Sequence, residues 1–182
     1  MTQSKKALVI VDVQQGMFGH PGHHPYDADA VVGRLADLLR RARSAGTPVF
    51  FVQHDGGAGS LLAADSPGFP FRDELAPLPS EDVTVKKHCS AFQATALAEK
   101  LHAAGVEHLI VGGMQSEFCV DTAVRGAFER GFAVTLLSDG HTTFDTPALS
   151  GQQIVAHHNH TLGSGSFATL AKCDALYLPA ED

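Results

Sequence analysis

Short apolar runs and helix-patterned stretches take turns along the whole chain, and this alternation limits the possible fold more than any other feature. Ala7–Val13 (ALVIVDV) is a continuous apolar run broken by one acid, and Pro48–Gln53 (PVFFVQ) is a second. Such runs suit strands buried on both faces of a parallel sheet. Val83–Lys86, His108–Val111, Ala133–Ser138 and Ala175–Leu178 complete the predicted strands, with Val83 and Val85 on one face of the third. Between them lie four predicted helices. In Asp27–Ala45, Val31, Leu35, Leu38, Leu39 and Ala42 recur at threes and fours, and Gly46 closes the helix. Gln93–Ala104 ends at Gly105, and Phe118–Arg130, with an apolar stripe of Val120, Ala123, Val124, Ala127 and Phe128, ends at Gly131. Ser150–Thr161 opens with Ser150 and Gln153 spaced as a capping box. Asp55–Ser80, rich in Gly, Pro and Ser, has no period and reads as an irregular excursion of a length that is often functional. The pattern predicts an α/β fold of three layers, Rossmann-like: a parallel sheet of about six strands with helices on both faces and right-handed crossovers. With no repeat and no linker, residues 1–182 are expected to form one domain.

Composition narrows the partners. At 182 residues, with 44% apolar and 18% charged residues, the chain can bury a substantial core. A formal net charge of −7 disfavours nucleic acid and anionic lipid as partners. No apolar run approaches the ~20 residues of a membrane span, and the N-terminus lacks a secretory pattern, so a cytoplasmic location is expected. Cys89, Cys119 and Cys173 form no CxxC pair and no disulfide framework; each is a small buried hydrophobe or a reactive thiol.

In sheets of this kind the ligand crevice lies beyond the carboxyl ends of the strands. Three polar residues fall there. Asp12 lies near the end of the first strand, Lys86 ends the third, and Cys119 follows the fourth, at the first turn of the next helix. A helix N-terminus and a converging lysine both favour thiolate, and the unpaired amides of that turn can donate to an oxyanion. A carboxylate among Val9, Ile10, Val11 and Val13 is costly unless paired. Each residue also has a structural explanation: a core thiol, a buried ion pair or cap, and a solvated charge, Lys86 and its neighbour Lys87 pointing opposite ways.

Four segments carry a family resemblance: LVIVDVQ (Leu8–Gln14), VKKHCSAF (Val85–Phe92), GGMQSEFCVDTAVRGAFERGF (Gly112–Phe132) and VTLLSDGHTT (Val134–Thr143). In order and separation they resemble the isochorismatase-like cysteine hydrolases, the group that includes nicotinamidases and carbamoyl-amide hydrolases. The resemblance implies a catalytic triad of Asp12, Lys86 (not Lys87) and Cys119. It further implies a cis Met114–Gln115 peptide that aims the Gln115 amide, with that of Cys119, at an oxyanion. The implied chemistry is hydrolysis of a small amide, lactam or ureido C–N bond through a thioester on Cys119. Phe18, Phe92, Gln115 and Phe118, next to motif positions, are candidate substrate-binding residues. The resemblance also implies a homodimer or homotetramer.

No cofactor is expected. Nicotinamidases of this family hold a metal through a D-x-H pattern, whereas this chain has His54–Asp55 within HDGG, and no metal site is predicted from these, from His23 and His24, or from His157, His158 and His160. Three alternatives compete. Vinyl-ether hydrolysis of the isochorismatase type is disfavoured by Cys119, and a non-catalytic binding or scaffold role by retention of the whole triad. A dinucleotide-binding module is disfavoured because VDVQQGMFG offers no phosphate-cradling glycine loop.

Overall fold

The computed structural model describes residues 4–19, 22 and 24–178. Its centre is a parallel sheet of six strands in the order β3-β2-β1-β4-β5-β6. The strands are β1 (Lys6–Val11), β2 (Val49–His54), β3 (Asp82–Lys86), β4 (His108–Met114), β5 (Ala133–Thr142) and β6 (Thr169–Ala171). The helices are α1 (Ala28–Ser44), α2 (Leu97–Ala103), α3 (Asp121–Glu129) and α4 (Gly151–Gly163). Alternate residues of β1 face opposite layers, which is why the run reads as uniformly apolar. Ala7, Val9 and Val11 pack with Leu97 and Leu101 of α2, Ala123 and Val124 of α3, and Leu162 of α4. Leu8 and Ile10 pack with Val31, Leu35, Leu38 and Leu39 of α1 and with Leu75. The three-layer expectation therefore holds, and so does the capping box: Ser150 Oγ accepts from the Gln153 amide, and the Gln153 side chain accepts from the Ser150 amide.

Several boundaries differ from the sequence reading. The sixth strand is Thr169–Ala171, not Ala175–Leu178. It is a short, largely exposed edge with little apolar signal, while Leu176 and Leu178 lie against the α1 layer, where Arg41 donates to the Leu176 carbonyl at 2.9 Å. Helix α2 starts only at Leu97, after turns that include Ala94 at φ 54°. Phe128 is not part of the buried stripe of α3; its ring stands edge-on to Phe167 at the surface. On β3 the shared face of Val83 and Val85 is the more exposed one, and Thr84 and Lys86 are the residues that turn inward. β4 and β5 run past their apolar stretches because Gly113 pairs with His141 and Met114 with Thr142, after a register shift between Val111 and Gly113.

Residues 55–80 fold back over the carboxyl ends of the strands. The amides of Gln15 and Gly16 donate to the carbonyls of Pro70 and Gly68, and the Arg72 amide donates to Val13. A side chain at Gly68 would meet the Leu61 carbonyl at 2.3 Å and the Gly16 Cα at 2.8 Å, so only glycine permits this close seam.

Candidate active site

β1 ends at Val11, and Asp12 then leaves the strand in the left-handed region, at φ 51°, with its amide still bonded to the Val52 carbonyl at 2.9 Å. An aspartate tolerates this conformation better than a branched residue, and such outliers gather at functional sites. Lys86 comes from the other side. It is paired in register with His54 on β2, and its ammonium reaches the carboxylate of Asp12 at the end of β1. Its Nζ lies 2.7 Å from Asp12 Oδ2 in an ion pair whose side chains are 0% and 3% exposed. Lys87, facing out, is 3.9 Å from Asp55 and 75% exposed.

Cys119 arrives on a π-helical turn, Ser116–Val120, between β4 and α3, rather than in the first turn of the α-helix. Gly113 makes this approach possible. It adopts φ 129°, and a Cβ there would stand 2.0 Å from the Val11 carbonyl oxygen. The end of β4 thus runs against the end of β1 and delivers the turn to Asp12. The Met114–Gln115 peptide is cis. The Gln115 carbonyl accepts the amides of Phe118 and Val120, each at 3.1 Å, and bypasses the Cys119 amide between them. Cys119 Sγ lies 3.2 Å from Lys86 Nζ. The same ammonium lies 3.2 Å from His54 Nδ1 and donates to the His88 carbonyl at 3.1 Å.

The electrostatics differ from the expected thiolate. Burial pushes the Asp12 carboxyl up, against the opposing pull of Lys86 and Cys119. Burial pulls the Lys86 ammonium down, but Asp12 and Cys119 outweigh it and the net shift is upward. Burial, and then the Asp12 charge, push the Cys119 thiol well above its ordinary value, with Lys86 opposing. A second negative charge beside a buried carboxylate is disfavoured whatever the helix contributes. The carboxyl and the thiol are thus both held toward their protonated forms and the ammonium toward its charged one, and the three groups titrate as one unit.

A cavity of about 470 Å³ opens above them. Asp12, Cys119, Gln115 and Phe118 line it, joined by Met17, His54, Ser60, Leu61, Leu62, Cys89, Met114 and Phe144. Two expected wall residues are elsewhere. Phe92 belongs to the core, its ring against Gly126 and beneath the Arg130 guanidinium at 4.8 Å. Phe18 packs toward the α1 layer, with Arg72 5.1 Å from its ring. Proximity in sequence to a motif did not fix their direction. Ser60, Leu61 and Leu62 come from the irregular excursion, whose length was its only signal. Cys173 is a core thiol, pushed up to about 12 by burial and Asp139. Among the described residues no three His, Cys, Asp or Glu side chains are grouped to hold a metal ion. His54 Nδ1 faces an ammonium, Asp55 accepts from the Gly57 amide at 3.0 Å, and His23 lies outside the described residues.

Residues 6–158 match the Isochorismatase domain. The chain belongs to the isochorismatase family. It is 40% identical over 146 residues to a streptothricin hydrolase of Streptomyces noursei, a match covering 80% of this chain and 58% of that protein. A second streptothricin hydrolase of the same organism is covered over 51% of its length, so the chain spans between half and three-fifths of these relatives. It is 31% identical over 152 residues to a maleamate amidohydrolase of Pseudomonas putida, covering 74% of this chain and 71% of that protein. A solved isochorismatase-family hydrolase from Chromobacterium violaceum superposes with a TM-score of 0.88 at 29% identity, covering 96% of this chain and 93% of that one. No helix among the described residues is long and apolar enough to cross a membrane.

Proposed function

We propose that this isochorismatase-family chain hydrolyses the C–N bond of a small, uncharged amide, lactam or ureido compound through a thioester on Cys119. The observation that carries the reading is the buried Lys86 ammonium, 2.7 Å from the Asp12 carboxylate and 3.2 Å from the Cys119 sulfur, at the floor of a largely apolar cavity. Relatives named for amide hydrolysis support the bond class.

The thiol proton passes to Asp12 as sulfur bonds to the carbonyl carbon, and Lys86 stabilises the charge that moves between them. The Gln115 and Cys119 amides receive the oxyanion. The tetrahedral adduct collapses as the C–N bond breaks and Asp12 returns its proton to the leaving nitrogen. The amine departs and a thioester remains. Water then gives its proton to Asp12 and its oxygen to the acyl carbon, the C–S bond breaks, and sulfur takes the proton back. The acid product leaves an unchanged site.

Among the described residues that line the cavity there is no arginine or lysine, and the Lys86 ammonium beneath its floor is already paired with Asp12. Carboxylate-bearing amides such as maleamate thus lack a counter-ion here and are weaker candidates than neutral ones. A screen of neutral amides, lactams and ureido compounds for release of ammonia, amine or acid tests the reading. Cys119→Ala is expected to lower the rate by at least about 10⁴-fold. Hydrolysis surviving in that variant at near wild-type rate overturns the covalent mechanism.

A further inference from the structure

The cavity holds one histidine that the chemistry above leaves unused. We propose that His54 binds the substrate, donating from Nε2–H to a second, uncharged hydrogen-bond acceptor beyond the scissile carbonyl. The proposal rests on the reading of Cys119 as the nucleophile at the floor of the same cavity, and it adds what the substrate must carry.

The tautomer follows from the neighbour. Lys86 Nζ lies 3.2 Å from His54 Nδ1, and an ammonium has protons but no lone pair. Nδ1 must therefore offer its lone pair, which places the ring proton on Nε2. Burial and the Lys86 charge both hold the imidazole below its usual range, so the ring stays neutral. That lone pair is turned to the Lys86 ammonium, whose three protons are shared among His54, Asp12, Cys119 and the His88 carbonyl. Although a histidine and a cysteine line one cavity, no hydrogen bond joins them among the described residues, so the site is not built as a Cys–His dyad. Nε2–H has no hydrogen-bond partner among the described residues, and His54 lines the cavity.

The ring is held by a part of the sequence that the mechanism does not touch. Gln14 is fully buried, and its side-chain amide grips the His54 backbone at both ends: Oε1 accepts the His54 amide at 2.9 Å, and Nε2 donates to the His54 carbonyl at 3.0 Å. The same Nε2 donates to the Phe69 carbonyl at 2.8 Å, as does Gln53 at 2.9 Å. A donor on so constrained a backbone is pre-organised, and a neutral donor in an apolar wall discriminates by leaving itself unpaired against the wrong ligand. The chemistry it recognises is a hydrogen-bond acceptor such as a second carbonyl or a ring nitrogen.

Malonamide and butanamide are close in size, but only malonamide carries an acceptor beyond its first amide. Their power to protect Cys119 from alkylation by iodoacetamide is measured in a Cys89→Ser background, because Cys89 lines the same cavity. One neutral hydrogen bond corresponds to about threefold to tenfold stronger protection by malonamide. His54→Asn keeps an acceptor near the Nδ1 position for Lys86 but has no donor that reaches the Nε2 position; it should erase the difference, each protection being read against that variant's own unprotected alkylation rate. His54→Gln restores a donor near the Nε2 position and should recover part of the difference. Equal protection by the two compounds in the parent protein, including none by either, overturns the proposal, and so does a difference that survives in His54→Asn. Retained hydrolysis in Cys119→Ala is a separate result that overturns the covalent reading instead.

Discussion

Two histidines stand near the carboxyl edge of the sheet, and they end in opposite situations. His141, 1% exposed, has Nδ1 2.7 Å from Ser116 Oγ and Nε2 3.1 Å from Asn159 Oδ1. Asn159 Nδ2 donates to the Ser138 carbonyl at 2.8 Å, which fixes its oxygen toward the ring and so places the proton on Nε2. His54 is assigned the same tautomer, but its Nε2–H has no partner among the described residues, and the residue lines a cavity. One polar network is closed and the other is left open on one side. A closed network rigidifies the fold, whereas an open donor beside a buried ion pair is available to a ligand. Residue type does not separate the two; accounting for each nitrogen does.

The strongest way to break the open cluster is to remove its cation. Lys86→Met should leave the Asp12 carboxylate buried and unpaired, lowering stability by about 3–5 kcal/mol in urea unfolding and abolishing measurable hydrolysis. A variant as stable as the parent would mean that Asp12 simply takes up a proton there.

The closed cluster should respond in stability first. His141→Leu orphans Ser116 Oγ and Asn159 Oδ1 and should cost about 1–3 kcal/mol, where His54→Asn stays within about 0.5 kcal/mol. The pH profile sharpens the contrast. Burial lowers the His141 pKa to about 4, with the Asn159 contact opposing. As pH falls below the unfolded value of about 6.5, the unfolded chain binds a proton that the folded chain refuses, so stability declines down to about pH 4, by on the order of 3 kcal/mol. Urea midpoints recorded across that range should slope less in His141→Leu; His54 and His108, shifted the same way, keep part of the slope. An unchanged slope would remove His141 from the account. The smallest effect belongs to Ser116→Ala, which deletes one donor and opens little space; a loss of about 1 kcal/mol in the same assay is expected.

Much of this molecule was legible in its sequence because the signals were local. The periodicity of α1, the apolar runs of β1 and β2, the capping box at Ser150 and the order of the strand ends each follow from the spacing of a few residues, and the fold repeats that spacing in space. Edge elements were not legible in this way. β6 has no apolar run because it has little to bury, and β3 turns Thr84 and Lys86 inward because Lys86 reaches an acid two strands away.

By itself, then, the sequence determined the layers, the sheet and the identity of an acid, an amine and a thiol at its carboxyl rim. Tertiary structure alone decided the charge state and the walls. Whether Cys119 rests as thiol or thiolate depends on a carboxylate 107 positions earlier in the chain and on how much water reaches it. Whether Phe92 or Leu61 faces the substrate depends on which apolar neighbours claim each ring or side chain first. Burial and long-range proximity set both, and neither is a property of any short stretch of residues.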